Sequence, residues 1–144
     1  MTQFNTLLYF ETSCAMTHQL NIQFKHFNLH SSLTMTAFLK SLLQNHHKHY
    51  STQIKLSSEM LNIGQYIPIY ITPELILCPL FAKRSTYQVY INMTQVIGMS
   101  SIQKRTRIIF NNNQHLVVEQ SITFCSKKWK ESLFLGQLIL SQSI

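Results

Sequence analysis

Apolar and polar residues alternate along several parts of the chain, which predicts a protein built mostly from short strands. Residues 20–24 and 87–93 alternate strictly, as half-buried strands do. The apolar residues 7–10 are compatible with another strand, and residues 96–99 predict one more after a one-turn kink at 92–95. The pattern of the chain is therefore that of a sheet protein with few helices.

A helical period stands out once in the first half of the chain. Residues 33–47 place apolar side chains at i, i+3, i+4, i+7 and i+8, and this spacing gives one apolar helix face. These side chains are Met35, Phe38, Leu39, Leu42 and Leu43. Ser31, Ser32 or Thr34 can cap the start of the helix.

The middle of the chain is predicted to be more irregular. Residues 51–66 are expected to form a polar connection, with weak strand character near 60–63. Pro68, Pro73 and Pro79 then bracket two short apolar runs. Because proline lacks the N–H that a central strand needs, neither run is expected to be a long central strand.

The stretch 104–130 predicts an antiparallel hairpin followed by a helix. Ile108 and Phe110 face one way, and Leu116 and Val118 answer them across a turn at 111–114. Three of the four turn residues are Asn, which tolerates the left-handed backbone. Such a hairpin would bring its two basic ends close together.

Ser121 or Thr123 is expected to cap the last helix. Its predicted apolar face carries Ile122, Cys125, Trp129 and Leu133. The resulting fold class is α+β: a mainly antiparallel, curved sheet with one helix before it and one C-terminal helix packed on it. A chain of 144 residues suits one domain, 1–144.

Charge is scarce and unevenly distributed. Charged residues make up 12% of the chain, hydrophobic residues make up 45%, and the net charge is +7. Residues 1–82 carry a net +1, whereas residues 83–144 carry a net +6. A positive surface concentrated in one part of a protein favours a polyanionic partner, with nucleic acid first and an acidic membrane surface second.

The three cysteines, Cys14, Cys78 and Cys125, are far apart in the sequence and form no Cys-x-x-Cys pair. Buried, reduced thiols in a cytoplasmic protein are the expected interpretation. The apolar residues 7–10 are too few for a secretory signal, and the apolar C-terminal run is too short to span a membrane.

The residues with catalytic or ligating chemistry do not form a recognised site. His46, His47 and His49 lack the i, i+4 spacing of a helical metal pair, so a solvated helix end is favoured over a metal site. Cys125 shares a helix face with Trp129, which favours a core thiol over a nucleophile. With no glycine-rich phosphate loop and no carboxylate pair, we expect no enzyme, no catalytic residue, no metal and no cofactor.

Three basic clusters are the stronger signal, because each lies at a predicted turn or element end where it can reach phosphates. The alternative interpretation is a solubilising surface. Arg107 also alternates with Ile108 on a strand, and arginine suits a narrow A·T-rich minor groove. The clusters are Lys83 and Arg84; Lys104, Arg105 and Arg107; and Lys127, Lys128 and Lys130.

Three segments carry a resemblance to a known family: PIYITPELILCPLFAKRS, VYINMTQVIGM and RIIFNNNQHLVVEQSITF. With a basic, aromatic helix after them, they resemble the ComK family of competence transcription factors. The three prolines match the family's proline positions, and Ile108, Phe110, Asn112 and Ser121 fit its hairpin pattern. The resemblance is best over 68–135.

The resemblance implies a cytoplasmic DNA-binding activator of DNA-uptake genes. Such a protein is expected to recognise A/T-rich boxes of double-stranded DNA through the minor groove. It is expected to act as a homo-oligomer and not on a membrane. Asn112 and Arg107 then become candidate groove-facing residues. It also implies an adaptor and Clp protease as partners, although the chain ends at Ile144, short of the C-terminal extension through which family members are handed over.

One family segment is altered. At 42–53 only Tyr50 of the family's pattern is kept, with His47 at the glycine position and Gln53 at the arginine position. If that segment contacts DNA, Lys48 or Lys55 would replace the contact. The alternative function is therefore a non-activating paralogue, an interaction module that pairs with a full-length ComK-type factor through a sheet edge or the apolar tail 133–140.

Overall fold

The computed structural model describes residues 2–17 and 19–142, and the side chains from Phe4 onward. The strands of this part are β1 (Leu7–Thr12), β2 (Leu20–Phe24), β3 (Asn28–Ser31), β4 (Ile69–Thr72), β5 (Leu75–Pro79), β6 (Val89–Asn92), β7 (Val96–Ile102), β8 (Arg105–Phe110) and β9 (His115–Val118). The α-helices are α1 (Met35–Asn45), α2 (Tyr50–Leu61) and α3 (Ile122–Gln142). Two 3-10 turns, Thr2–Thr6 and Met93–Gln95, precede β1 and β7.

The strands form two antiparallel sheets. The main sheet has six strands in the order β3-β2-β1-β6-β5-β4, and the small sheet has three in the order β7-β8-β9. The predicted α+β class with a mainly antiparallel sheet and a C-terminal helix packed on it is confirmed. The division into two sheets was not predicted.

One face of the main sheet is covered by helices. Phe10 and Tyr90, from the central strands, stack with ring centroids 5.3 Å apart, and Phe38 of α1 meets the Phe10 ring edge-on at 4.8 Å. Leu42 and Leu43 of α1 are buried in the same core. Burial of this apolar face is what fixes α1 on the sheet.

The opposite face of the main sheet is covered by the small sheet and α3. Leu8 and Ile91 point to this side and are buried with Ile108 and Phe110 of β8 and with Cys125 of α3. The central strands are therefore buried on both faces, which explains why β6 has four buried residues in succession rather than an alternating pattern.

Asn92 joins three strands of the main sheet. It is fully buried, and its Nδ2 donates to the carbonyls of Leu7 at 2.8 Å and Glu74 at 3.0 Å. Its Oδ1 accepts from the N–H of Ile76 at 3.1 Å. The polar side chain satisfies backbone groups that the sheet ladder leaves without partners.

The first helix agrees with the prediction. Its N-cap is Thr34, whose Oγ1 accepts from the N–H of Ala37 at 3.1 Å. Leu39, Leu42 and Leu43 are its buried residues, so the predicted apolar face is confirmed.

The second helix corrects the prediction of a polar connection over 51–66. The buried residues of α2 are Gln53 and Ser57. Because these are polar, the helix has no strong apolar period in the sequence. Gln53 is held in place by a hydrogen bond from its Nε2 to the carbonyl of Tyr70 at 2.7 Å, which ties α2 to the edge strand β4.

The last helix begins where predicted, but its buried face differs. The Oγ of Ser121 accepts from the N–H of Phe124 at 3.2 Å, so Ser121 is the cap. The buried residues are Cys125, Lys128, Ser132 and Leu135. Leu133, which was predicted to be buried, is 40% exposed, because α3 is rotated by the contacts it makes with β5 and α2.

Three short strands remain, β3, β4 and β5. β3 was not predicted, since its four residues are exposed or half-buried and show no alternation. β4 and β5 are short, as the flanking prolines require, yet β5 lies between β4 and β6 inside the main sheet. Pro79 is tolerated because it is the last residue of β5.

No helix within residues 2–17 and 19–142 combines the length and the apolar character needed to cross a bilayer.

Candidate nucleic-acid interface

The outer face of the small sheet carries two arginines on its central strand. Along β8, Thr106, Ile108 and Phe110 are buried, whereas Arg105 and Arg107, which alternate with them, are half-exposed. The strand period therefore directs both arginines away from the core. Their Cα atoms are about 7 Å apart, since a strand rises about 3.4 Å per residue.

The neighbouring strands leave space around these arginines. Arg107 lies opposite Ser100 of β7 and Val117 of β9, and Arg105 lies opposite Ile102. Serine beside arginine is a small hydrogen-bonding partner, and the face as a whole is a shallow basic surface.

A two-residue turn projects from one end of this face. Gln103 and Lys104 connect β7 to β8, and both have positive φ, 50° and 67°. This is the backbone that a type I′ hairpin turn requires. Both side chains are exposed, so the turn places an amide and an ammonium group at a narrow tip next to Arg105.

Gln120 connects this end of the small sheet to two other parts of the chain. Its carbonyl accepts from Oγ1 of Thr106 at 2.8 Å, and its Nε2 donates to the carbonyl of Leu80 at 2.6 Å. The next residue, Ser121, caps α3. The loop after β5, the start of β8 and the start of α3 therefore meet at one end of the molecule.

Three predicted basic clusters contribute to this end. Lys83 and Arg84 are exposed in the loop between β5 and β6. Lys127 is exposed on α3. It lies about 7.5 Å along the helix axis from Ile122, because an α-helix rises about 1.5 Å per residue. We call these six residues the basic end: Lys83, Arg84, Lys104, Arg105, Arg107 and Lys127.

Lys130 is exposed as well, on the same outward side of α3 as Lys127 and about one turn further on. Within the described part of the chain, the one ion pair joins Lys128 to Glu131 at 2.7 Å. The cations of the basic end are thus free of ion pairs and can contact an external anion.

Two carboxylates belong to segments that contact those of the basic end. Glu11 of β1 accepts a hydrogen bond from the hydroxyl of Tyr87 at 2.6 Å. Glu119 is exposed directly after β9. Because Val118 pairs with Thr106, the next position of the register places Glu119 opposite Arg105. Six cations and two anions leave this end positive, with Glu119 placed to reduce the potential around Arg105.

Lys128 corrects the prediction of a solvent-facing cluster at 127–130. It is 4% exposed, and its Nζ donates to the carbonyls of Tyr66 at 2.8 Å and Gln65 at 3.3 Å. With Glu131 paired to it as well, its ammonium group is used inside the protein. Lys128 holds segment 65–66 against α3 and is not available to a phosphate.

Asn112 also has a partner inside the protein. Its Nδ2 donates to the carbonyl of Lys25 at 2.8 Å, and its Oδ1 accepts from the N–H of Gln114 at 3.1 Å. The turn that contains it lies at the end of β8 opposite to Arg105, so the structure does not bring Asn112 to the basic end. Asn113 supplies the predicted left-handed residue, with φ 68°.

The prediction that all three cysteines are buried is wrong for Cys14, which is exposed, and is confirmed for Cys78 and Cys125. Burial raises the pKa of Cys78 to about 12. Burial also raises the pKa of Cys125, although a hydrogen bond with Thr106 opposes the shift. Both buried thiols therefore stay protonated near neutral pH and are weak nucleophiles there.

The histidines at the end of α1 serve local structure. His46 Nδ1 lies 2.9 Å from the carbonyl of Leu42, and its ring meets Phe4 edge-on at 6.0 Å. In residues 2–17 and 19–142, no three His, Cys, Asp or Glu side chains are grouped as metal ligands would be.

Sequence reasoning missed the exposed Gln103 beside Lys104 and the junction residue Gln120. Gln120 has no signal in the sequence, because its role depends on Leu80, which is forty residues away. Gln103 could have been found from the polar pair that separates two alternating runs.

No protein-family profile, curated protein or solved structure matches the chain.

Proposed function

We propose that this chain is a DNA-binding transcription regulator of the ComK type, acting on competence genes, and that its basic end contacts double-stranded DNA. The observation that carries the proposal is the outward placement of Arg105 and Arg107 on the central strand of the small sheet, next to the Gln103–Lys104 turn. Phosphate contacts from such cations supply affinity without sequence information.

The shape of the basic end favours a specific way of docking. A three-stranded sheet is too wide for a minor groove of about 6 Å, but a two-residue turn with side chains pointing from its tip can enter one. In the proposed complex, Gln103, Lys104 and Arg105 enter a narrow A·T-rich groove. Lys83, Arg84 and Lys127 contact the flanking phosphates.

One feature of the altered segment 42–53 also supports the ComK-type proposal. His47, at the family's glycine position, has φ 57°, a left-handed backbone that favours glycine. Gln53, at the family's arginine position, is buried and bonded to β4. The segment therefore has at His47 the backbone that a glycine favours, whereas the side chain of Gln53 is used inside the protein.

The test compares two duplexes of equal length, one with two A/T boxes and one rich in G·C, over a range of salt concentrations. We expect tighter binding to the A/T duplex, and a steep fall in affinity with salt. Replacing Arg105 and Arg107 by Glu should weaken binding at least about tenfold and reduce the salt slope by about 2, because each lost phosphate contact removes about 0.9.

The matched control reverses two charges elsewhere. Lys40 of α1 is exposed and Lys25, between β2 and β3, is half-exposed, and both lie outside the basic end, so Lys25→Glu with Lys40→Glu makes the same change in net charge. We expect this control to alter affinity less than about threefold. If both double variants lose the same affinity, or if the two duplexes are bound equally well, the chain binds DNA only as a generic polycation.

A second candidate function is an interaction module that pairs with a ComK-type factor. It is favoured by the apolar side chains that α3 exposes to solvent: Phe134 is 53% exposed and Leu140 is 60% exposed. Replacing both by Ser should abolish association with such a factor and leave the stability of the chain within about 0.5 kcal/mol. Unchanged association in this variant would exclude the outer face of α3 as the contact.

A further inference from the structure

A cavity of about 440 Å³ opens between the start of α2, segment 64–67 and loop 81–83. It is lined by four aromatic rings, together with aliphatic and amide side chains. Small-molecule sites typically have volumes of about 300–1,000 Å³ and a mainly apolar lining with few polar groups. The four rings belong to Tyr50, Tyr66, Phe81 and Tyr90.

Three of these rings are held from behind by a second ring. Edge-on and offset contacts of this kind fix the orientation of an aromatic side chain. The ring pairs and their centroid distances are Tyr90 on Phe10 at 5.3 Å, Tyr66 against Phe124 at 4.9 Å, and Phe81 against Tyr87 at 5.1 Å.

The backbone walls of the cavity are fixed as well. Lys128 is buried and donates to the carbonyls of Gln65 and Tyr66, which holds the wall formed by 64–67. Gln88 donates from Nε2 to the carbonyl of Ala82 at 2.6 Å, which holds the wall formed by loop 81–83. A site that is already ordered pays less entropy when a ligand binds.

The charge of the cavity indicates the kind of ligand. The ammonium of Lys83 lies 5.9 Å from the centroid of the Tyr50 ring, and no acidic residue is among the lining residues. A planar ring can stack on tyrosine, while an anionic group on the same molecule can pair with Lys83. Gln65 adds an amide group that can bond to the edge of a heterocycle, whereas the Nε2 of Gln88 already donates to the carbonyls of Ala82 and Ser85.

We propose that this cavity binds one nucleotide, with the base against the tyrosine rings and the phosphate at Lys83. The nucleotide could be free or an unstacked member of a single strand, since the recognised chemistry is the same. Base–aromatic stacking beside basic residues is how single-stranded nucleic acids are held. This site contains neither Arg105 nor Arg107, and Lys83 is the one residue that it shares with the proposed duplex contacts.

The test is calorimetric titration of the full chain with 2′-deoxyadenosine 5′-monophosphate (dAMP). We expect saturable binding of one molecule per chain. Deoxyadenosine, which lacks the phosphate, should bind about tenfold more weakly, and inorganic phosphate should not bind, because it cannot stack. Absence of saturable dAMP binding, or equal affinity for dAMP and inorganic phosphate, would overturn the proposal.

Variants locate the site. Lys83→Gln should weaken dAMP binding about tenfold and leave deoxyadenosine binding unchanged, because only the phosphate contacts the lysine. The matched control Lys55→Gln removes one exposed charge from α2, outside the cavity, and should change dAMP binding less than twofold. Equal effects of the two variants would contradict a phosphate position at Lys83.

Two further measurements define the ligand and separate this proposal from the previous one. Tyr50→Phe should keep dAMP binding, whereas Tyr50→Ala should reduce both dAMP and deoxyadenosine binding, with unfolding curves recorded for each variant. Displacement of dAMP by a single-stranded dA tetramer would identify a strand as the source, and lack of displacement would identify the free nucleotide. Duplex binding is measured separately, so either proposal can fail while the other holds.

Discussion

At the scale of single residues, Lys128 shows that a basic side chain in a basic cluster can be structural. Its ammonium bonds to two backbone carbonyls and to Glu131. Lys128→Met should therefore destabilise the chain by about 3 kcal/mol, because a largely buried carboxylate and two carbonyls lose their partner. Lys127→Met removes an exposed lysine from the same helix and should change stability by less than about 0.5 kcal/mol.

Denaturant unfolding of the two variants provides the measurement. Duplex binding by those that remain folded is then compared with the unchanged chain. Equal stability of Lys128→Met and Lys127→Met would show that the buried contacts of Lys128 contribute nothing to the fold.

Glu119 gives a second prediction at this scale, which concerns affinity. Its carboxylate is exposed after β9, where the strand register continues toward Arg105. Glu119→Gln should raise the affinity for duplex DNA about two- to threefold at low salt, since a negative charge is removed from the proposed interface. Glu59→Gln on α2 is the control, because Glu59 is exposed outside the basic end. An equal gain in both variants would indicate an effect of net charge alone.

These residues also show what the sequence can and cannot predict. Lys127, Lys128 and Lys130 have the same chemistry and follow one another closely, so the sequence gives no reason to separate them. Only the fold brings Gln65 and Tyr66, more than sixty residues away, next to Lys128. The outward placement of Arg105 and Arg107 was predictable, because a period of two along a strand needs no distant partner.

At the scale of elements, the β7–β8 turn combines strain with a proposed function. Lys104 has φ 67°, which is a left-handed conformation. This conformation costs a residue with a Cβ about 1 kcal/mol or more. Glycine avoids that cost but loses more chain entropy on folding, so the net gain is smaller. Lys104→Gly should therefore stabilise the chain by about 0.5 kcal/mol while lowering duplex affinity and reducing the salt slope by about 0.9.

The opposite signs of these two effects make the experiment specific. Unfolding curves and duplex titrations are recorded on the same variant, with Lys104→Ala as the comparison that removes the charge and keeps the Cβ. A loss of stability in Lys104→Gly would contradict the strained turn. Unchanged duplex binding in both variants would remove Lys104 from the interface.

The helices differ in how well the sequence predicts them. α1 and α2 have similar lengths, but α1 buries three leucines and α2 buries Gln53 and Ser57. Apolar periodicity detects a helix whose buried face is apolar, so α1 was found and α2 was missed. The rotation of α3 was missed for the same reason, since its buried face includes Lys128 and Ser132.

At the scale of the whole molecule, the basic end is a product of the fold. Its cations come from the loop after β5, from the β7–β8 region and from α3, and Gln120 links all three. The sequence predicted that the hairpin would bring the second and third of these clusters together. The sequence could not predict that the loop after β5 joins them, because the hydrogen bond from Gln120 to Leu80 links residues forty positions apart in the chain.

The whole molecule also determines how stability depends on pH. Burial, with a smaller contribution from Glu11, raises the pKa of Tyr9 from 10.0 to about 12, and burial raises the pKa of Cys78 from 9.0 to about 12. Burial likewise raises the pKa of Tyr87 and Tyr90. These groups hold their protons more tightly in the folded chain than in the unfolded chain.

Below about pH 8 all of these groups are protonated in both states, so they give no pH dependence. As the pH rises further, the unfolded chain loses protons first and binds fewer than the folded chain. The free energy of unfolding therefore falls with pH between about pH 8 and pH 12. Denaturant unfolding at about pH 8 and pH 11 measures this fall, and phenolate absorbance shows how many tyrosines titrate.

Tyr9→Phe is the variant that tests the linkage. It keeps the ring that stacks on Phe110 at 5.7 Å and removes one titrating hydroxyl. The slope of unfolding free energy against pH should then be shallower by about one proton between about pH 10 and pH 12. Equal stability at about pH 8 and pH 11 would contradict the raised pKa values. So would phenolate absorbance that rises at the same pH in folded and unfolded chains, because the two faces of the main sheet would then not shield these side chains from water.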